Sequence, residues 1–308
     1  MERTARYRSL APLLDWRQAV RPIPWARTFG RRAPLVVEIG FGNGEYLVRQ
    51  ALQYPDRDFV GIEPEWASIQ RCLRKLALAD IHNVRLMQVN AQVAFERLFC
   101  QSSVEQVSAL FPCPWPKERH IKHRLFAKPF LELINSRLTC RGTLYIVTDR
   151  LDYSAWVERQ AEGTGFVFQG RRIAAQFSTK YERKWQAQGQ EHFYELCLQK
   201  QRAISRSTRK DRELQTHRVQ GFDPEQFKPV DLNGEITIKF KDFIYDPRQR
   251  RAMQWIFVVE DHLGQDIWID IAKADDGWRI RPSRGSTFIP TRGLQQALDI
   301  IRDTIVGG

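Results

Sequence analysis

From Phe111 to Arg124 the chain reads F-P-C-P-W-P-K-E-R-H-I-K-H-R, a stretch that crowds a thiol, an indole, two imidazoles and several fixed cations together. Pro112, Pro114 and Pro116 lack amide donors and fix their own φ angles, so the stretch is expected to be a stiff loop rather than a helix or a central strand. The apolar run Val107 to Phe111 leads into it and reads as a buried strand. Lys117, Arg119, Lys122 and Arg124, with His120 and His123 among them, suit a polyanion. A solvated basic loop is the plainer alternative.

A second constellation lies nearer the N-terminus, where L-V-V-E-I-G-F-G-N-G-E-Y-L from Leu35 reads as strand, glycine turn and helix. Gly40, Gly42 and Gly44 form the turn and Glu38 stands just before it. Asp58 to Ile62 is a second strand that ends at Glu63, and Pro64 suits the first turn of a following helix. A glycine turn after the first strand, with an acidic residue closing the second, is a device for an adenine nucleotide whose ribose hydroxyls the carboxylate accepts. But G-F-G-N-G is not G-x-G-x-x-G, and the turn has no lysine or hydroxyl for a triphosphate. Glu38 would repel a pyrophosphate and attract an amino group. S-adenosylmethionine, with an amino group, a sulfonium and no phosphate, meets both conditions; a glycine turn that merely joins strand to helix is the alternative.

The elements that must position these residues alternate. Strands are expected at 84–89, 107–111, 143–148 and 193–198, and helices at 65–79, 91–99, 125–138 and 151–162. Strands separated by helix-length segments mean an α/β fold with a mostly parallel, doubly wound sheet. Glu38, Glu63, Asn90, Cys113 and Asp149 then all fall at or just past the carboxyl ends of strands, where such sheets bind ligands. Residues 1–33 read as a basic N-terminal arm that docks through Trp16 and Trp25 and could also touch the ligand. Residues 34–200 form the main domain and 201–218 a basic linker. In 219–308, alternation at Ile236, Ile238, Phe240 and at Ile267, Ile269, Ile271 predicts a small β-meander, capped by a helix from about Thr291 to Ile305.

The chain has 308 residues, 48 Lys plus Arg against 36 Asp plus Glu, and a formal net charge of +12, which favours an acidic partner. Residues 1–200 hold 30 of the basic and 20 of the acidic groups, leaving 18 and 16 beyond, so the surplus belongs to the first two thirds. Five cysteines with no C-x-x-C pair point to reduced thiols, not to a disulfide framework or a zinc ribbon, and no metal site is expected. No signal peptide and no run near ~18 apolar residues is visible, which predicts a cytoplasmic chain without a membrane partner. The sequence leaves monomer and homodimer open.

Taken in order, W-A-R-T-F-G, E-I-G-F-G-N-G, G-I-E, P-W-P-K-E-R-H-I-K-H-R-L, V-T-D and T-K-Y-E-R-K-W make residues 25–199 resemble the bacterial tRNA (guanine-N7)-methyltransferases. The resemblance implies a Rossmann-like class I methyltransferase fold that moves a methyl group from S-adenosylmethionine to N7 of a guanosine in the tRNA variable loop. It implies cofactor contacts at Glu38, the glycines, Glu63, Asn90 and Cys113. It implies contacts to RNA or its guanine at Lys117, Asp149, Thr179, Lys180, Tyr181 and Glu182, with Asp149 and Glu182 on the Watson-Crick edge and Lys117 and Lys180 on phosphates. Trp185 is expected to pack, and His120 and His123 to serve phosphate or structural roles.

The resemblance breaks at Cys113, where the family's loop has an aspartate with a catalytic role. Three readings follow: methyl transfer supported by orientation alone, a tRNA-binding protein with weak or no catalysis, or Cys113 as a nucleophile toward a pyrimidine. Asn90, where many relatives have aspartate, is a milder change because an amide oxygen still accepts. The resemblance says nothing of residues 200–308, which could bind RNA, mediate self-association or stabilise; their nearly balanced charge argues against a large phosphate footprint, and a packing or protein-contact role is expected.

Overall fold

Runs such as Leu35–Ile39 and Asp58–Ile62 have almost no polar alternation, so they are satisfied only where both faces are covered, and every residue of both strands is buried. The structure, a computed structural model, describes residues 9–307. The first eight residues of the expected basic arm lie outside them. The chain divides into two units, Met1–Arg209 and Lys210–Gly308.

In the first unit the elements run α1 (Trp25–Phe29), β1 (Leu35–Ile39), α2 (Glu45–Gln53), β2 (Asp58–Ile62), α3 (Trp66–Leu78), β3 (Val84–Met87), α4 (Ala91–Arg97) and β4 (Val104–Leu110). They continue as α5 (Lys128–Arg137), β5 (Leu138–Thr148), α6 (Leu151–Ala161), β6 (Phe166–Ala174), α7 (Lys180–Ala187) and β7 (His192–Lys200). The sheet order is β3-β2-β1-β4-β5-β7-β6, with β1 to β5 mutually parallel and β7 antiparallel to both its neighbours. The order reverses between β1 and β4, and a crevice opens outside the carboxyl ends of strands at such a point.

The α/β expectation therefore holds, with corrections. The strand β6 was not foreseen: it is an edge strand whose centre, Gln169 to Arg172, is exposed, and it lacks the apolar run that signals burial. Helix α7 was not foreseen either. Within 111–124, the expectation of a stiff loop holds for the proline half alone, since Glu118–His123 winds into a short 3-10 helix once the prolines end.

Two described parts of the terminal segments are anchored on this unit. Trp16 is 3% exposed and its indole N–H donates to Gln88 O at 2.9 Å, while the Arg17 guanidinium lies 4.5 Å over the ring. The stretch expected as a linker, 201–218, is split between the two units, and its first part runs along the first. There buried Arg137 donates to Phe95 O (2.8 Å), Arg206 O (2.6 Å) and Ser207 O (3.2 Å). Asn135 accepts from Ile204 N (2.9 Å). A buried guanidinium is tolerable because each of its three nitrogens finds a carbonyl.

The second unit is the expected meander with a helix: β8 (His217–Val219), β9 (Ile236–Asp246), β10 (Arg251–Glu260), β11 (Leu263–Ala274), β12 (Gly277–Pro282) and α8 (Arg292–Gly307). Its antiparallel order is β8-β12-β11-β10-β9, and α8 covers one face.

Candidate active site

Five strands of the first unit end on a cleft of about 600 Å³, and each contributes to its wall. From β1 come Gly40 and Gly42, from β2 Glu63, from β3 Asn90, from β4 Phe111 to Trp115, and from β5 Asp149. A smaller recess shares Gly40, Gly42, Ser68 and Phe111 with it and adds Glu38 and Lys180. The residues that the sequence placed past strand ends are thus brought to one place.

The glycine turn is required by its backbone. Gly40, Gly42 and Gly44 have φ of 68°, 53° and 75°, and at Gly44 a Cβ would also stand 2.5 Å from Cys72 Sγ, so a side chain fits neither the angle nor the space. Lys75 donates to Asn43 O (2.9 Å), tying the turn to α3. Glu63 closes it from β2: its Oε2 accepts from Gly42 N (3.0 Å) and its Oε1 from Glu65 N (3.1 Å). Each oxygen keeps a second lone pair for a ligand hydroxyl.

Glu38 is 4% exposed, and its Oε2 has no hydrogen-bond partner among the described residues. Burial pushes its pKa up to about 8; Arg49 opposes this, and Glu45 and Glu63 add to it. A buried carboxyl oxygen without a hydrogen-bond partner is costly, and an ammonium group delivered by a ligand would satisfy it. Asn90 caps α4, its Oδ1 accepting from Gln92 N (2.8 Å), which leaves its amide donors and one lone pair. The acceptors, their spread along one cleft and its volume fit S-adenosylmethionine: Glu38 for the amino group, Glu63 for the ribose.

Arg124 corrects the polyanion expectation at its own position. It is buried, its guanidinium sits 5.0 Å from the Trp156 ring and 5.5 Å from the Tyr153 ring, and it donates to Pro114 O (2.8 Å) and Trp115 O (3.4 Å). Arg124 therefore clamps the proline loop, and Lys117, Arg119 and Lys122 remain exposed. The clamped loop carries Phe111 and Trp115 at φ of 55° and 42°, each a strained angle for a bulky residue, of the kind that persists where surroundings fix it. Trp115 packs beside His120 and His123, with centroids 5.8 Å and 5.2 Å away. Cys113 is exposed on the cleft wall, and Asp149, partly buried, has its pKa raised by that burial.

The tetrad Thr179 to Glu182 is divided by the structure. Glu182 is 1% exposed and its carboxylate accepts from the backbone N–H groups of Gln176 (2.8 Å), Phe177 (3.0 Å) and Ser178. Thr179 Oγ1 accepts from Glu182 N (3.2 Å) as the cap of α7. The expectation that Glu182 grips the guanine edge is corrected, because its oxygens hold the loop before α7. T-x-x-E is a capping-box pattern, and that local signal could have revealed the role. Lys180 and Tyr181 remain exposed from the tetrad, and both line the recess. Trp185 also lines the cleft, with Lys184 Nζ 4.7 Å over its ring, besides packing as expected. The sequence reading missed Arg49, the counter-charge to Glu38, whose Nη2 donates to Phe177 O (2.7 Å).

A family model described as "Putative methyltransferase" matches residues 32–195, more than half of the chain. A tRNA (guanine-N(7)-)-methyltransferase of Thermus thermophilus is 36% identical over 285 residues, 90% of this chain and 90% of its own length. Its namesake from Thermotoga maritima is 31% identical over 285 residues, 90% of this chain and 91% of its own. One from Chlorobium phaeobacteroides is 43% identical over 168 residues, 54% of this chain and 82% of its own. The two long matches exceed the length of the first unit, so they extend into the second.

Proposed function

The chain belongs to the tRNA (guanine-N(7)-)-methyltransferase family, and from that premise we propose how its own residues divide the work. It transfers a methyl group from S-adenosylmethionine to guanine N7 in tRNA. The observation that carries the residue assignment is the buried Glu38 carboxyl group beside the cleft, whose Oε2 has no hydrogen-bond partner among the described residues. Bound S-adenosylmethionine supplies an electrophilic methyl group on a sulfonium. Glu38 holds its amino group and Glu63 its ribose, while Asn90 and the wall at Cys113 border the remainder.

Guanine N7 has a free lone pair, so no base is needed before attack, and none of this chain's residues has to remove a proton. Their task is to hold N7 in line, where orientation contributes about 7 to 11 kcal/mol, and to offset the positive charge that develops on the base. Asp149 is the carboxylate for that charge and for the N–H donors of the guanine edge. Lys117 and Lys180 take phosphates. Thr179 and Glu182 act through the loop that they fold. Catalysis by orientation accommodates a cysteine at position 113, and the thiol has no step to perform.

Among the described residues no helix is long and apolar enough to cross a membrane, and the five cysteines are free. Free thiols suit a reducing compartment, and we place the protein in the cytoplasm with its tRNA. The test is transfer of labelled methyl to unmodified tRNA followed by reduction and aniline cleavage, which breaks RNA at N7-methylguanosine. Cleavage in the variable loop is expected. Label without cleavage would move the reaction to another atom.

A further inference from the structure

Strand alternation in the second unit sorts its side chains onto two faces. Ala252, Ile256 and Val258 of β10 and Ile267, Ile269 and Ile271 of β11 are buried, in one core with Leu294, Ala297, Leu298 and Ile301 of α8. The residues between them face the other way. Met253, Trp255 and Phe257 of β10 and Trp268 of β11 are partly exposed, and they are absent from the side chains packed on that core.

This outer face has a definite construction. Trp255 and Trp268 are direct cross-strand partners, with ring centroids 6.0 Å apart and planes 27° from parallel. The Trp255 indole N–H donates to Asp266 Oδ1 (3.2 Å), which fixes its ring. Two residue pairs further along, Asp270, with 5% of its side chain exposed, pairs with both Arg251 and Arg281 (3.6 Å for the latter). One carboxylate thus orients two guanidinium groups on the face that carries the indoles. Arg279, opposite Ala272, stands on the same face and has no ion pair among the described residues.

We propose that this face binds RNA, with unpaired bases of the tRNA substrate stacking on Trp255 and Trp268 and with Arg251, Arg279 and Arg281 contacting the adjoining phosphates or bases. Aromatic rings laid on a sheet, with guanidinium planes beside them, are a device for unstacked bases. The cores of protein-protein interfaces are depleted of charge, whereas here Arg251, Arg279 and Arg281 share the face with the indoles. The unit's near balance of charge beyond residue 200 means that stacking, more than phosphate contact, carries the affinity. The identity of the RNA rests on the function proposed above; base stacking itself does not.

The experiment uses full-length protein, wild type and the double variant Trp255→Ala/Trp268→Ala, with Trp255→Phe/Trp268→Phe as the conservative control. Binding of unmodified tRNA and of a single-stranded hexaribonucleotide is measured across salt concentrations, along with KM, kcat and S-adenosylhomocysteine affinity. The alanine pair is expected to weaken both RNAs about tenfold or more, raise KM for tRNA by the same factor, and leave kcat, homocysteine-product affinity and the salt slope unchanged. The phenylalanine pair is expected to keep most of the binding. Unchanged RNA binding by a folded alanine pair would overturn the proposal. So would loss of a wild-type dimer with RNA binding intact, which would make the face a contact between copies. If wild-type protein methylates no tRNA, the function reading fails, and the hexaribonucleotide still decides the stacking surface.

Discussion

In the first unit the functional side chains stand where strands stop, whereas in the second they stand on the face of strands that are still paired. A strand-end site draws polar atoms from five strands into one cleft, but each must be placed by its own turn: the Gly40 to Gly44 turn, the loop clamped by Arg124, the loop folded by Glu182. A sheet-face site needs no such supports, because register alone sets Trp255 against Trp268 and Asp270 against Arg281. The first arrangement makes a pocket for one small ligand and one reacting base. The second makes a flat surface for a run of similar groups.

The contrast predicts that the cleft fails when a single support is removed. Glu182→Ala leaves three N–H groups without their acceptor, at about 1 to 3 kcal/mol each, and kcat/KM is expected to fall by about a hundredfold or more. Glu182→Gln retains an acceptor and is expected to lose less. If Glu182→Ala left kinetics intact in a folded protein, the support would be dispensable and the contrast broken. Glu38→Gln removes a charge-assisted hydrogen bond to the cofactor's amino group, worth about 1.5 to 3 kcal/mol. The expected readout is a rise of about ten- to a hundredfold in the cofactor dissociation constant, with tRNA affinity unchanged.

Smaller effects sharpen the difference in charge. Lys117→Ala is expected to weaken tRNA binding severalfold at low salt and to reduce the salt slope by about one, which titrations at several salt concentrations will measure. The tryptophan pair in the second unit should leave that slope alone. The smallest change concerns the thiol. Cys113→Ser is expected to keep the single-turnover rate within about threefold, since orientation carries the step, and Cys113→Asp to raise it. A complete loss in Cys113→Ser would restore a chemical role to the sulfur.

The sequence disclosed most of the sheet because β1 to β5 are apolar runs punctuated by turns, and it located Glu38, Glu63, Asn90 and Asp149 near strand ends because those are visible as the places where the runs stop. It hid β6 because an exposed edge strand with two arginines lacks an apolar run. It misplaced Glu182 and Arg124 for one reason: a charged residue in a basic or polar motif looks the same whether it meets ligand or backbone, and only burial distinguishes them. The aromatic face of the second unit was spelled out in the alternation of β10 and β11, but which face α8 covers is a tertiary fact.

Glu38 gives the central claim a direct test. In the ligand-free protein this group keeps its proton up to about pH 8, whereas in an unfolded chain it ionises near the ordinary glutamate value of 4.5. Between those values the folded state binds the extra proton, so the contribution of Glu38 to stability declines as pH rises through that window and levels off above it. A bound ammonium group reverses the preference and expels the proton. Isothermal titration of S-adenosylhomocysteine at pH 7, in buffers of different ionisation enthalpy, is therefore expected to show release of about one proton by wild-type protein and none by Glu38→Gln. Equal proton exchange in the two proteins, with equal affinity, would contradict the assignment of this cleft to the cofactor's amino group.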